Sequence, residues 1–158
     1  MNLVIENMNK KMANEILNWQ YNKPYDFYNN ELTDEAMKEF LDGSYYALID
    51  ESKQLIGFFC VGADAQVPVG NRFGVYAEDC VDMGLGMNPN LTGKGNGFEF
   101  CTSIVTFIEE HYKRVPIRLT VAKFNSRAIH LYKKLGFVIE NEFSTDYAEF
   151  ITMIKNNL

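Results

Sequence analysis

One stretch decides the fold: it reads DMGLGMNPNLTGKGNG over residues 82–97 and continues as a periodic segment from Phe98 to Tyr112. The pattern is that of a strand, a glycine-rich turn and a helix. Because glycine lacks a Cβ, the alternate glycines of the turn allow positive φ angles and a close approach of a ligand to the backbone. The first amides of a helix have no partner within the helix and lie at its positive end. The stretch therefore predicts a site for an anion such as a phosphate.

Two common phosphate motifs do not fit this turn. A Walker A loop needs glycine at position 88 and Ser or Thr after Lys94, but the chain has Asn88 and Gly95 there. A dinucleotide-binding fingerprint, G-x-G-x-x-G, could begin at Gly84, but Pro89 stands where its third glycine belongs. A plain nucleotide-binding module is therefore disfavoured.

The stretch resembles motif A of the GNAT (N-acetyltransferase) superfamily. In that motif a strand ends near a proline, and an Arg/Gln-x-x-Gly-x-Gly/Ala turn then begins a helix and binds the pyrophosphate of acetyl-CoA. Here Pro89, Gly95 and Gly97 match. Thr92 stands in place of the family's Arg or Gln, a departure that removes one expected contact and leaves the backbone of the turn intact.

A second segment, NSRAIHLYKKLGF at residues 125–137, resembles the family's motif B without departure. That motif reads Asn-x-x-Ala-x-x-x-Tyr-x-x-x-Gly-Phe and follows motif A after one further strand. Two motifs in the correct order and separation are more specific than either alone. Together they cover residues 82–137.

The remaining periodicity predicts the element order β, α, α, β, β, β, α, β, α, β, β, which is a mixed α/β fold. The resemblance implies a mostly antiparallel, twisted sheet with a splayed central strand pair, flanked by about four helices. Residues 1–158 are expected to form a single acetyltransferase-like domain. The predicted strands are 2–6, 45–49, 55–62, one through 82–87, 117–121, one beginning at 137–139 and 147–154; the predicted helices are 11–19, one capped by Thr33, 98–112 and 125–135.

The sequence also predicts several details of these elements. Gly43 and Gly136 are expected as the glycines that end the second and fourth helices. Residues 63–79 show little periodicity, and a loop of this length either borders the acceptor site or extends a strand. The aromatic segment 19–28 either lines the core or forms a wall of the acceptor site. The third helix is expected to pack on the sheet through Phe98, Cys101, Thr102, Val105, Ile108 and Tyr112.

The resemblance implies acetyl-CoA as co-substrate. The strand residues Leu85, Gly86 and Met87 would pair with its pantetheine arm, and one of their N–H groups would polarise the thioester carbonyl. Two glycines in this strand are unfavourable for a sheet, and such glycines often mark a bulge or a close ligand. The other implied contacts come from the turn and from motif B, at Thr92, Gly93, Lys94, Gly95, Asn96, Gly97, Phe98, Asn125 and Tyr132.

Tyr132 is the candidate general acid. A phenol with a pKa near 10 can protonate the departing coenzyme A thiolate. The alternative is that Tyr132 packs in the core, because it lies on the apolar face of its helix. Asn125 could cap that helix, bind the cofactor arm, or do both. None of the three cysteines lies in the motif A strand or in motif B, so direct transfer is favoured over a covalent route.

The general base is less determined by the sequence. An acceptor amine must lose a proton before attack, and a carboxylate is the usual acceptor of that proton. Asp82 begins the motif A strand where some branches of the family carry Glu-x-Gly, and Glu78 and Asp79 are rivals. Asp82 could instead hold a partner side chain in place. Lys94 and Arg127 could help to neutralise phosphates, although solvated charge is the default for both.

Composition excludes several classes. A formal net charge of −6 argues against a nucleic-acid partner. Three cysteines without C-x-x-C spacing indicate reduced cytoplasmic thiols, and with two histidines no metal site is expected. No signal peptide and no apolar run of about 20 residues is visible, so no membrane partner is expected.

These observations predict a cytoplasmic, acetyl-CoA-dependent N-acetyltransferase (an acyltransferase), working as a monomer or homodimer. It would acetylate a primary amine, either a small molecule or a protein N-terminus, in a ternary complex. The alternative is a non-catalytic acyl-CoA-binding or sensor domain of the same fold, which the departure at Thr92 keeps open. The acceptor itself is not named by the sequence.

Overall fold

The computed structural model describes residues 2–157, and within them the predicted order of elements is confirmed. The fold is mixed α/β, as expected. The strands are β1 Val4–Asn7, β2 Tyr45–Ile49, β3 Leu55–Val61, β4 Val81–Met87, β5 Ile117–Ala122, β6 Val138–Ser144 and β7 Glu149–Lys155. The α-helices are α1 Lys10–Leu17, α2 Asp34–Phe40, α3 Gly97–His111 and α4 Ser126–Lys134.

The seven strands form one sheet in the order β1-β2-β3-β4-β5-β7-β6. The pairs β1–β2, β2–β3, β5–β7 and β6–β7 are antiparallel, which confirms a mostly antiparallel sheet. Strands β4 and β5 are parallel, with a register that runs from Val81 opposite Ile117 to Met83 opposite Leu119. This parallel pair is possible because α3 provides the crossover between the two strands.

Side-chain caps fix where α1 and α2 begin. Asn9 accepts a hydrogen bond from the Met12 amide at the start of α1. Thr33, predicted as a cap, accepts from the Ala36 amide at the start of α2. Each cap satisfies an amide that the first helical turn leaves without a partner, which is worth about 1 kcal/mol.

The two predicted helix-ending glycines have different outcomes. Gly136 directly follows Leu135, the C-cap of α4, and has the positive φ of 100° that this position favours. At α2 the C-cap is Leu41, so Gly43 lies one residue beyond the predicted position. Its φ of 98° nevertheless shows why glycine is suited there.

The predicted packing face of α3 is partly wrong. Phe98 and Tyr112 are 51% and 38% exposed, and Thr102 is exposed with its hydroxyl donating to the Phe98 carbonyl. The face is rotated because Phe98 belongs to the open first turn, whereas Phe100 begins the apolar series that meets the core. The buried residues of α3 are Phe100, Cys101, Ile104, Val105 and Ile108.

The chain divides into two compact units that share β4. The first unit comprises the residues up to Cys60 together with Leu85–Gly97. Its interior contains an aromatic cluster in which the rings of Phe40 and Tyr45 stack at 4.2 Å, and the Phe58 ring lies 5.4 Å from that of Phe40. Aromatic pairs at such distances add to the free energy gained by burial.

The second unit comprises Val61–Gly84 and the residues from Phe98 onward. Its segment 63–79 forms two 3₁₀ helices, Ala63–Ala65 and Pro68–Phe73, so the expectation of a strand extension is wrong. This segment packs on strands β5 to β7. Its cluster consists of Val75, Ala122, Phe143 and Phe150, flanked by Val67, Tyr76 and Ala148.

We predict that Gly86→Ala destabilises the fold by about 1–3 kcal/mol, the usual cost of overpacking. A Cβ at Gly86 would lie 2.5 Å from Cε1 of Phe58, whose ring is held by its aromatic neighbours. Urea unfolding measures the change. The double variant with Phe58→Leu should recover part of the loss, and strictly additive effects would contradict the proposed contact.

Candidate active site

The turn after β4 is anchored by Asn88, a buried residue that the sequence alone did not single out. Its backbone N–H donates to the Ile56 carbonyl at 2.8 Å, and its Nδ2 donates to the Leu55 carbonyl at 3.1 Å. Its Oδ1 accepts from the Asn90 amide at 3.0 Å. Asparagine before proline is a turn signal, and this signal could have identified the residue.

Side chains also satisfy the carbonyls of the turn. The Thr92 hydroxyl donates to the Pro89 carbonyl at 3.0 Å, and Nδ2 of Asn96 donates to the Leu91 carbonyl at 3.2 Å. Thr92 therefore has a structural role at the position where the family has Arg or Gln. These hydrogen bonds to the Pro89 and Leu91 carbonyls hold the turn in one conformation.

Gly93 and Gly95 have φ angles of 71° and 83°, in the left-handed region that favours glycine. A Cβ at Gly95 would meet nothing within 4 Å, so the backbone conformation and not crowding requires glycine there. Across the described residues 2–157, no amide of residues 93–96 donates a hydrogen bond to another group of the protein. These amides, directly before the start of α3 at Gly97, are suited to an anionic ligand.

The end of β4 is tied to the aromatic segment 19–28. The Tyr21 hydroxyl donates to the Met87 carbonyl at 2.7 Å, and burial raises the pKa of Tyr21 to about 12. The phenol therefore remains a donor at neutral pH. Of the three strand residues predicted to pair with a cofactor arm, Met87 already uses its carbonyl, and Gly86 is needed for packing against Phe58.

The aromatic segment 19–28 has both inward-packed and exposed rings. Trp19 contributes to the interior, where its ring lies 6.4 Å from that of Phe58. Phe27 and Tyr28 belong to the 3₁₀ helix Tyr25–Tyr28 and are exposed, with their rings edge to face at 5.1 Å. Their exposed faces keep the interpretation as an acceptor-site wall open.

Asp82 lies in the second unit and is only 4% exposed. Its Oδ1 accepts from Nε of Arg118 at 2.7 Å, and its Oδ2 accepts from Nη2 of Arg118 and from Nε2 of Gln66, both at 2.8 Å. The hydrogen bond with Asp82 raises the pKa of Arg118. A carboxylate engaged in this way favours the alternative that Asp82 holds partner side chains. Its role as base stays a prediction, and the rivals Glu78 and Asp79 are both exposed.

The motif B residues lie on α4, in the second unit. Oδ1 of Asn125 accepts from the Ala128 amide at 3.2 Å, so the predicted capping role is confirmed. Tyr132 is buried, with its ring 6.0 Å from that of Phe137 in an edge-to-face arrangement. Packing is thus part of its role, and general acid catalysis stays a prediction.

The thiols of Cys80 and Cys101 are not activated. Burial raises the pKa of the Cys101 thiol to about 12 and also raises the pKa of Cys80. The thiolate is the nucleophilic form, so little of it is present at neutral pH.

The described part of the chain has neither a cluster of metal ligands nor a helix that could span a membrane. Among residues 2–157, no group of three or more His, Cys, Asp or Glu side chains is arranged to hold a metal ion. In the same residues, none of the helices has the length and apolar character needed to cross a membrane.

The predicted site residues fall into two sets. Leu85 to Gly97 belong to the first unit, where the strand end, the turn and Tyr21 are directly connected. Asp82, Phe98, Asn125 and Tyr132 belong to the second unit. Sequence reasoning missed Asn88, Tyr21 and Arg118, whose partners are distant in the chain.

Comparison with known proteins identifies the family. A model of the acetyltransferase (GNAT) family matches residues 11–137, which is most of the chain and includes both motifs. The chain belongs to the acetyltransferase (GNAT) family. No curated protein matches this GNAT sequence closely enough to be a clear relative.

Solved structures have the same fold as this GNAT protein. An acetyltransferase of the GNAT family from Bacillus anthracis superposes with a TM-score of 0.75 at 15% identity, covering 99% of this chain and 96% of that one. A chimera of the spermidine N-acetyltransferase SpeG from Vibrio cholerae and hSSAT gives 0.72 at 20% identity, with the same coverages. These identities are too low to transfer a substrate.

The burial of Tyr21 leads to a prediction about alkaline pH. Its pKa of about 12 lies above the value near 10 of an unfolded tyrosine, so the folded state resists ionisation. The resulting stability is complete below about pH 10 and is lost as pH rises toward 12. In Tyr21→Phe, stability measured by urea unfolding should fall less steeply between pH 10 and 12.

Tyr147, which is 92% exposed, provides the control. Tyr147→Phe should leave the slope of stability against pH unchanged. If Tyr21→Phe left the slope of stability against pH unchanged, the ionisation of Tyr21 would not contribute to the loss of stability at alkaline pH.

Proposed function

We propose that this GNAT protein transfers the acetyl group of acetyl-CoA to a primary amine by direct attack. The observation that carries the proposal is the turn of residues 88–97. Asn88 fixes it to β3, Gly93 and Gly95 have positive φ angles, and the amides of residues 93–96 are not used by the protein itself. Such a turn before a helix suits a diphosphate.

In this proposal the turn binds the diphosphate of acetyl-CoA through backbone amides of residues 93–97. Lys94 is exposed and adds a positive charge, while Phe98 offers an exposed apolar ring beside the cofactor. Thr92 contributes less to binding the diphosphate than the Arg or Gln of the family motif would, because its hydroxyl already donates to the Pro89 carbonyl. Affinity therefore depends mainly on the backbone.

The strand residues Leu85, Gly86 and Met87 are proposed to pair with the pantetheine arm. One of their N–H groups polarises the thioester carbonyl, and a fixed donor of this kind contributes about 3 kcal/mol to transition-state stabilisation. The hydrogen bond from the Tyr21 hydroxyl to the Met87 carbonyl holds the end of this strand in place for that pairing.

The proposed reaction forms an amide and releases coenzyme A. The amine nitrogen attacks the thioester carbon, the carbon–sulfur bond breaks, and the sulfur takes a proton from the Tyr132 hydroxyl. The amine loses its proton to water or to an exposed carboxylate such as Glu78 or Asp79. Asn125 can cap α4 through Oδ1 while its amide nitrogen contacts the cofactor arm.

A cationic small amine is the acceptor class we propose to test first, with protein N-termini as the second class. The net charge of −6 favours a protonated amine over an anionic substrate. Among structures of the same fold are spermidine N-acetyltransferases, which makes spermidine a reasonable first compound.

A second candidate is an acyl-CoA sensor without catalysis. Two observations favour it: Thr92 replaces the Arg or Gln of motif A, and the Asp82 carboxylate is engaged by Arg118 and Gln66. In a sensor, acetyl-CoA would bind and no amine would release its thiol.

The test combines binding with turnover. We expect acetyl-CoA to raise the melting temperature, as any ligand selective for the native state must. With a panel of amines including spermidine, thiol release should be seen for at least one. Tyr132→Phe should lower kcat by about 100-fold with little change in the acetyl-CoA shift, because only the proton donor is removed.

Tyr147→Phe is the control, and its kcat and its thermal shift with acetyl-CoA should equal those of the wild-type protein. Binding without thiol release for any amine would favour the sensor. No thermal shift at millimolar acetyl-CoA would contradict both candidates.

A further inference from the structure

A buried ion pair lies in the second unit, between Asp82 of β4 and Arg118 of β5. Arg118 is 1% exposed and Asp82 4% exposed. The pair is bidentate: Nε of Arg118 donates to Oδ1 of Asp82 at 2.7 Å, and Nη2 of Arg118 donates to Oδ2 at 2.8 Å. Burying such a pair has a large desolvation cost, so its presence calls for a specific role.

In the described residues, the other side-chain hydrogen bonds and the cation–π contact of this pair involve segment 63–79. Gln66 donates through Nε2 to Oδ2 of Asp82 at 2.8 Å. The carbonyl of Glu78 accepts from Nη1 of Arg118 at 3.1 Å. The ring of Tyr76 lies 5.1 Å from the guanidinium carbon, within the range of a cation–π contact. The strands thus hold the segment at three points through one charged pair.

Tyr76 links the segment to β5 a second time. Its hydroxyl accepts from the Val67 amide at 2.9 Å and lies 2.8 Å from Oγ1 of Thr120. Thr120 and Arg118 are two residues apart on β5, so they lie on the same face of the sheet. One face of β5 therefore provides both the guanidinium and the hydroxyl that fix Tyr76.

The contacts of the Asp82–Arg118 pair are suited to holding segment 63–79 in one conformation. Replacing a buried ion pair by apolar residues is often neutral or stabilising, so stability alone does not account for it. Segment 63–79 has short 3₁₀ helices in place of a strand ladder, and where its backbone N–H groups donate to carbonyls, those carbonyls belong to residues 62–74. Its hydrogen bonds to β4 and β5 involve side chains. The polar network supplies directional contacts that an apolar core would lack.

We propose that the Asp82–Arg118 pair is a positioning device that holds segment 63–79 in one conformation and thereby sets the affinity for the amine acceptor. The inference rests on the proposed function. The segment leads directly into β4, the strand proposed to pair with acetyl-CoA. It carries Asp64, Glu78 and Asp79 against Arg72, a net charge of −2 (three acids, one base), which suits a protonated amine.

Tyr76→Phe tests the proposal without breaking the buried pair. It removes the hydroxyl that contacts Val67 and Thr120 and keeps the ring over Arg118. Hydrogen exchange of peptides covering residues 63–79 should become at least 10-fold faster, while peptides of β7 stay unchanged. The KM for the acceptor should rise about 5-fold, and kcat and the KM for acetyl-CoA should change less than 2-fold.

Gln66→Met is the second variant, because it removes the donor to Asp82 while Arg118 still pairs with both carboxylate oxygens. Like Tyr76→Phe, it should speed hydrogen exchange in peptides covering residues 63–79 and raise the KM for the acceptor. Tyr112→Phe is the matched control, since in the described residues no hydrogen bond uses the Tyr112 hydroxyl.

Three results would overturn the proposal: unchanged exchange in both variants, faster exchange with an unchanged acceptor KM, or an equal rise of both KM values. Failure of the proposed function is distinguishable from these, because the wild-type protein itself would then acetylate no amine. In that case the exchange data still decide whether the pair holds the segment, and the link to acceptor affinity is overturned.

Discussion

The backbone conformation of one turn is the constraint on which the rest of the account depends. Strand β4 ends at Met87 and helix α3 begins at Gly97, so residues 88–96 connect the two elements. Gly93 and Gly95 have positive φ in this turn, and the amides of residues 93–96 have no protein partner among the described residues 2–157. Asn88 holds the turn against β3 through backbone and side chain. An anionic ligand can therefore be bound with little reorganisation of the protein.

Most of the fold could be predicted from the sequence because its signals are local. The element order, the Thr33 cap and the Gly136 helix end depend on neighbours within a few residues, and each is confirmed. The rotation of α3 was predicted incorrectly, because the choice between the faces containing Phe98 and Phe100 depends on the sheet that the helix meets. Segment 63–79 was unpredictable for the same reason, since strands distant in sequence determine its 3₁₀ helices.

The candidate site was predictable where motifs are contiguous and hidden where partners are distant. The turn and the Asn125 cap lie within short motifs. By contrast, 66 residues separate Tyr21 from Met87, and 36 separate Asp82 from Arg118. The sequence suggested Asp82 as a base because of its position on the strand. The structure adds that both oxygens of this carboxylate accept hydrogen bonds from neighbouring side chains, as a residue that holds partner side chains would, and the role of Asp82 as base stays a prediction.

The central claim is that backbone amides of the turn bind a diphosphate, and amide NMR tests it most directly. Uniformly labelled protein is titrated with coenzyme A and, separately, with pantetheine, which lacks the diphosphate. The account predicts that coenzyme A shifts the amide resonances of Gly93, Gly95 and Gly97, and that pantetheine leaves them unchanged. Saturating coenzyme A without a shift at these three glycines would contradict the account.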